Sequence, residues 1–334
     1  MPDLPTSAPA FLQVHREDAH AIREELAAGL LAPQAHIAPK FLYDALGSRL
    51  FDAITVLSEY YPTRTEAAIF DAHAAAMAAC VAPGSVLIDL GAGSCAKAAR
   101  LFSALRPAGY VAIDISVDYL REALGDLQAR HPAMPMLGLG LDFSAALALP
   151  EAALGWLQQA QLAEAPRTVF YPGSSIGNFS PPDALALLQQ AHTVCAAGGP
   201  GGGVLIGVDL TKPIEILEPA YDDALGVTAA FNRNLLLNVN RWLGADFSPA
   251  SWDHVGLFNP TESRIEMHLQ ARSAQRVRWA GGERAFEAGE RLHTENSYKW
   301  APEAFEALLR EAGFGAPVRW CDGAQWFGVF WAPV

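Results

Sequence analysis

The stretch Val86-Leu-Ile-Asp-Leu-Gly-Ala-Gly-Ser-Cys-Ala-Lys97 decides the fold. Val86 to Asp89 is short and apolar and follows the turn pair Pro83-Gly84, so it reads as a buried parallel strand. Gly91 and Gly93 then open the chain into a helix beginning near Ser94. Glycines at that point let the backbone approach a ligand, and a helix N-terminus favours polar or negative groups. Further strands are predicted at Tyr110–Asp114, Leu137–Leu141, Arg167–Tyr171 and Val204–Asp209, with helical stretches between them. That alternation makes an α/β protein with a Rossmann-like sheet and helices on both faces.

Gly91-x-Gly93-x-x-Ala96 alone is shared by every nucleotide-binding βαβ unit, including the nicotinamide-dependent oxidoreductases. The acids narrow it. Asp89, two places before Gly91, would repel a pyrophosphate. It suits S-adenosylmethionine, which has no phosphate and carries a sulfonium and an ammonium. Asp114 ends the next strand about twenty residues on, where ribose hydroxyls are expected. Asp142-Phe143 ends the third and is a pair suited to an adenine amino group and ring face. Asp89 and the Asp142-Phe143 pair both oppose a nicotinamide cofactor.

The chain of 334 residues is 51% apolar and 18% charged, long enough for one large domain or two modest ones. Its net charge of −13 argues against nucleic acid, whose phosphates attract Lys/Arg-rich surfaces. Cys80, Cys95, Cys195 and Cys321 are scattered and the histidines show no ligand spacing, so no metal is expected. No signal-peptide pattern opens the chain and no long apolar run could span a membrane, so a cytoplasmic protein is expected.

Thr63-Arg-Thr-Glu66 has the form of a capping box, with Thr63 as cap, and predicts a helix from there to about Ala82. The glycine run Gly198–Gly203 precedes the strand predicted at Val204–Asp209. After Asp209 the α/β pattern breaks. A long insertion carries a helical stretch through Tyr221 and predicted strands at Arg264–Gln270, Arg276–Ala280 and Leu292–Trp300. A helix at Pro302–Ala312 and a hairpin of Val318–Cys321 with Trp326–Trp331 close the chain. Residues 63–209 and 299–334 are therefore expected to bind the methyl donor, and 1–62 with 210–298 to form a smaller α+β substrate domain.

The phrases Tyr43-Asp-Ala-x-Gly, Tyr60-Tyr-Pro-Thr-Arg-Thr-Glu66, Gly173-Ser-x-Ile-Gly-Asn178, Ala220-Tyr-Asp-Asp-Ala, Gly226-Val-Thr-Ala-Ala-Phe-Asn-Arg-Asn and Arg264-Ile-Glu-Met267 run nearly the length of the chain. Together they resemble the L-histidine Nα-methyltransferases of ergothioneine biosynthesis. The resemblance implies a class I methyltransferase that trimethylates the α-amino group of free histidine to hercynine. It implies that Gly91, Gly93, Lys97, Asp114, Asp142 and Phe143, with Asp89, hold S-adenosylmethionine, and that Tyr43 and the Gly173 loop serve the reacting amine. Tyr60, Asn178 and Tyr221 would handle the amino-acid backbone, and Met267, Glu295 and Ser297 the imidazole. A monomeric enzyme is expected, with a small-molecule substrate and neither nucleic acid nor membrane as partner. Asn296 departs from the small apolar residue the family implies there, and strand alternation turns it away from Glu295 and Ser297. The alternative of the same fold is an enzyme for another free amino acid or small amine. Methyl transfer from a sulfonium requires positioning above all, so hydrogen-bond acceptors such as Tyr43 are expected, and not a strong buried base.

Overall fold

Strand β2 (Val86–Leu90) is buried at every position, as an apolar strand covered on both faces must be. It belongs to a computed structural model that describes residues 8–14, 18–144 and 146–334. Before it comes a short strand β1 (Ala10–Gln13). After it follow β3 (Gly109–Asp114), β4 (Met136–Gly140), β5 (Pro166–Tyr171) and β6 (Gly199–Asp209). The insertion then contributes β7 (Trp252–Asn259), β8 (Arg264–Ala271), β9 (Gln275–Trp279), β10 (Gly282–Phe286) and β11 (Arg291–Tyr298). The chain returns through a helix at Pro302–Glu311 to β12 (Val318–Cys321) and β13 (Phe327–Pro333).

Contacts divide the chain into two units. The first holds Arg64–Leu210 and Trp300–Val334 together with the N-terminal strand. Its eight strands run in the order β1-β4-β3-β2-β5-β6-β13-β12. Pairing is parallel from β1 through β6, and the closing hairpin adds two antiparallel strands. The order reverses between β2 and β5, and ligands of open α/β sheets sit beyond the strand ends at such a point. Val86, Ile88 and Leu90 pack into one apolar layer with Val111, Leu137 and Phe305, while Leu87 packs into the other with Tyr110, Phe170 and Phe70.

Three expectations need correcting. The N-terminal segment does not belong to the insertion's unit, because β1 pairs in parallel with β4, Ala10 opposite Leu137 and Gln13 opposite Gly140. The strand predicted from Val204 begins earlier, at Gly199, so the glycines form the first half of β6. A Cβ on Gly203 would lie 2.5 Å from the Ala332 carbonyl oxygen and 2.7 Å from the Trp331 ring, so the close approach of β13 demands glycine. The helix after Tyr60 starts at Tyr61 and runs to Cys80, with Pro62 in its first turn, where a missing N–H costs nothing. Thr63 is thus the third residue of that helix and does not stand at the cap position.

The second unit comprises Glu17–Thr63 and Thr211–Lys299. Its sheets are two, not one: β11-β8-β7, all antiparallel, and the hairpin β9-β10. Strands β7 and β10 have no marked alternation in the sequence and went unpredicted. A helix at Val227–Leu243 lines the three-stranded sheet, and Asn232 on it donates through Nδ2 to the His268 carbonyl oxygen of β8 at 3.1 Å.

Candidate active site

The glycine turn after β2 is held from the neighbouring strand. Gly91 and Ala92 both donate N–H to the Ile113 carbonyl oxygen, at 2.9 and 3.0 Å, and Gly91 has φ +67°. Asp114, half-buried at the end of β3, accepts from Gly93 N–H at 2.9 Å through Oδ2 and from Ser116 N–H at 2.8 Å through Oδ1. Burial raises its carboxyl against those donors. Phe143 lies over the turn, its Cζ 4.0 Å from where a Cβ on Gly91 would stand, and packs edge-on against Tyr171 at 5.7 Å. Asp142 accepts from Ser144, through both its N–H and its hydroxyl. Gly91, Gly93, Asp114, Asp142 and Phe143 are thus brought to one end of the sheet. They fit a nucleoside there: an unencumbered glycine turn, an aromatic face above it and an acid at the next strand end.

Asp89 is placed differently from the other acids: alternation along β2 turns it into the layer of Leu87, and it is 1% exposed. Its Oδ2 accepts from the Tyr110 hydroxyl at 2.6 Å, and Oδ1 has no hydrogen-bond partner among the described residues. Burial pushes its carboxyl up to about 7. The unfolded carboxylate loses its proton near 3.8, so between these values the native state binds the extra proton and stability falls as pH rises. Asp89→Asn keeps an acceptor for Tyr110 and removes the titration. The wild type should therefore lose stability relative to the variant from pH 5 to 7, by up to about 1.4 kcal/mol per pH unit. Urea unfolding at three pH values measures it, and a constant difference between the two proteins contradicts the assignment.

Lys97 and Gly173 meet at a residue the sequence reading assigned to a cap. Glu66 is 1% exposed and its side chain turns inward. Its Oε2 accepts from Lys97 Nζ at 2.8 Å and its Oε1 from Gly173 N–H at 2.7 Å. Two glycines make the room. A Cβ on Gly207 would lie 2.0 Å from Glu66 Oε1, and one on Gly173, at φ +78°, 2.7 Å from Lys97 Nζ. The Gly173 loop is pinned again where Asp209 N–H donates to Ser174 Oγ at 2.8 Å, and it ends in the 3₁₀ turn Ser175–Asn178. The only signal for Glu66 was its place in the Tyr60–Glu66 phrase.

In the second unit the predicted aromatics form a chain of edge-on rings. Tyr43 packs on Phe51 at 5.6 Å and on Phe231 at 5.5 Å, Phe51 on Tyr60 at 6.1 Å, and Tyr60 on Tyr221 at 6.3 Å. The Tyr221 hydroxyl lies 2.7 Å from Ser297 Oγ. Lys299 Nζ donates to both, at 2.9 Å to Tyr221 and 2.7 Å to Ser297. Met267 stands directly opposite Glu295 across β8 and β11, and Ile265 opposite Ser297. Glu295, Ser297 and Lys299 are all buried, at 7%, 5% and 3% exposure, where polar groups need partners. The pairing shifts between His293 and Glu295. Alternation beyond the bulge turns Asn296 away from Glu295 and Ser297, and the bulge lets it share a face with His293, whose Nε2–H it accepts at 2.9 Å. Tyr221, Met267, Glu295 and Ser297 are therefore assembled as one cluster, with Tyr60 against it. Lys299 was missed, although its spacing of two from Ser297 marked it for the same face.

A family model described as histidine-specific methyltransferase, SAM-dependent, matches residues 22–334. The chain belongs to this family. Among its relatives is the histidine N-alpha-methyltransferase of Mycolicibacterium smegmatis, 42% identical over 318 residues that cover 93% of this chain and 94% of that protein. The enzyme of the same name from Mycobacterium tuberculosis is 37% identical over 320 residues, covering 92% and 94%. Ergothioneine biosynthesis protein 1 of Neurospora crassa is 30% identical over 290 residues, 85% of this chain but 32% of that larger protein. As a member of the histidine-specific methyltransferases, the chain takes S-adenosylmethionine as methyl donor. Among the described residues no group of His, Cys, Asp and Glu could hold a metal ion, and no helix is long and apolar enough to cross a membrane.

Proposed function

We propose that the protein transfers methyl groups from S-adenosylmethionine to the α-amino nitrogen of free L-histidine, three times, yielding hercynine for ergothioneine biosynthesis, as a monomeric cytoplasmic enzyme. S-adenosylmethionine supplies an electrophilic methyl group; the protein's own residues bind, orient and desolvate. Gly91, Gly93, Lys97, Asp114, Asp142 and Phe143 hold the methyl donor. Tyr43 and Gly173 are assigned to the amine, Tyr60, Asn178 and Tyr221 to the α-carboxylate and backbone, and Met267, Glu295 and Ser297 to the ring. The amine must be unprotonated before each transfer, and hydroxyls and carbonyls that accept its protons meet that need without a strong base.

The observation that carries the reading is the buried cluster of Glu295, Ser297 and Tyr221 in a chain of this family. A carboxylate acceptor beside a hydroxyl donor matches the two nitrogens of an imidazole, which no other amino acid of that size presents. The test is mass spectrometry of the purified protein incubated with S-adenosylmethionine and the twenty free amino acids. Histidine alone should gain three methyls, all on the α-nitrogen. Methylation of a ring nitrogen, arrest at one methyl, or a different preferred amino acid overturns the proposal.

A further inference from the structure

The segment of β11 that carries Glu295 is fastened at both ends. At one end His293 N–H donates to the Ala35 carbonyl oxygen at 2.9 Å, and Ile37 N–H donates to the His293 carbonyl oxygen at 2.9 Å. At the other, Lys299 N–H donates to the Ser263 carbonyl oxygen at 2.8 Å, and Ser263 Oγ donates to the Lys299 carbonyl oxygen at 2.9 Å. His293 stands opposite His268 of β8, so between these anchors 294–298 of β11 face 264–267 of β8, five residues against four. One residue of β11 must stand opposite nothing. It is Thr294, because Glu295 pairs with Met267, the neighbour of His268.

The place of the extra residue decides which side chains reach the site. Residues opposite each other share a face of the sheet, and a slip of one residue exchanges the faces. Up to His293 the odd-numbered residues of β11 lie on the face of His268, whose ring meets that of His293 at 5.1 Å. From Glu295 onwards they lie on the face of Met267, and Glu295 and Ser297 join the cluster there. Were Ser297 the extra residue, Glu295 would instead stand opposite Glu266 on the other face, like charge against like. Thr294 is fully buried, and its Oγ1 donates to the Met267 carbonyl oxygen at 3.0 Å. A carbonyl only accepts, so this bond runs one way. It ties the unopposed residue to the residue that Glu295 faces. We infer that Thr294 is a specificity-setting positioning residue: its hydroxyl holds the extra residue of β11 immediately ahead of Glu295, which keeps Glu295 and Ser297 on the face that meets the substrate ring. The inference rests on the histidine reading above.

The test compares histidine with 3-(2-thienyl)alanine, whose ring has similar size and no nitrogen, in the wild type, Thr294→Val and Thr294→Ser. Calorimetry in the presence of S-adenosylhomocysteine reads the affinity for histidine, and competition reads that for thienylalanine. Thr294→Val keeps the branched shape that suits a strand and removes only the hydroxyl. It should weaken histidine binding by about three- to thirtyfold, the worth of a hydrogen bond that no longer holds the ring's partners in place. Thienylalanine should bind it no more weakly than the wild type, since that ring has no N–H to lose. Thr294→Ser keeps the hydroxyl and should stay within about twofold of wild type for both ligands. Where valine is not accommodated, Thr294→Ala is the second variant without a hydroxyl and carries the same expectation. A threonine that merely supports the fold would weaken both ligands together. That result, a histidine affinity within twofold of wild type in the hydroxyl-less variant, or an equal loss in Thr294→Ser, overturns the inference while leaving the histidine reading intact. A wild type that neither binds nor methylates histidine overturns the histidine reading, and this inference with it.

Discussion

Glu295→Ala is expected to lower kcat/KM for histidine by about ten- to a hundredfold while affinity for S-adenosylmethionine is unchanged. The carboxylate is 7% exposed and stands opposite Met267 across the β8–β11 pair. A carboxylate has acceptor positions enough to take an imidazole N–H from the substrate as well as its contacts within the protein. Losing a hydrogen bond to a charged group costs roughly 1.5–3 kcal/mol, which is the expected range. The same substitution should narrow the preference for histidine over apolar aromatic amino acids. A buried carboxylate repels a ring that cannot donate, and alanine does not. Steady-state kinetics on histidine and phenylalanine, with calorimetry of methyl-donor binding, reads both effects. Wild-type histidine kinetics in the variant would leave Glu295 as a buried acid satisfied within the protein alone.

Asp114→Ala is expected to cost affinity for S-adenosylmethionine by roughly 1.5–3 kcal/mol for each ribose hydroxyl bond that the carboxylate makes. The loss has two sources that the geometry separates. Ligand contacts go, and so does the acceptor that holds Gly93 N–H and Ser116 N–H at 2.9 and 2.8 Å. Asp114→Asn keeps one carbonyl acceptor and should fall between wild type and alanine. Calorimetry on folded variants measures the series. Unchanged methyl-donor binding in Asp114→Ala would count against the placement of the nucleoside at this strand end.

Much of this protein is written in runs of neighbouring residues. The apolar stretch Val86–Asp89 before two glycines, the acids Asp114 and Asp142 after successive strands, and the hairpin turn at Asp322-Gly323 are local patterns. Hydrophobic period and turn chemistry decide such elements within a few residues, so they were legible. The extra strands β7 and β10 were not. Short strands without clear alternation are specified by the partner they pair with, and β1 finds its partner in β4, Ala10 beside Leu137.

The site divides along the same line. Residue types and their order pointed to Tyr221, Glu295 and Ser297, but not to what each touches. Glu66 has the spacing of a capping residue, and only packing decides whether it bonds back along its own helix or sideways to Lys97 and Gly173. Gly207, far along the chain, is what leaves space for its carboxylate. Asp89 reads as a ligand-facing acid until Tyr110 of the next strand captures it in the core. Alternation alone separates Asn296 from Glu295 and Ser297, but it takes the bulge between His293 and Glu295 to set Asn296 beside His293, whose Nε2–H it accepts. Lys299 becomes a partner of Ser297 and Tyr221 only once β11 brings it beside the Tyr221 turn. The sequence by itself determined which elements form and which chemical groups are available. Tertiary structure decided which polar groups are buried together, because a hydrogen bond between distant segments leaves no trace in the spacing of either one.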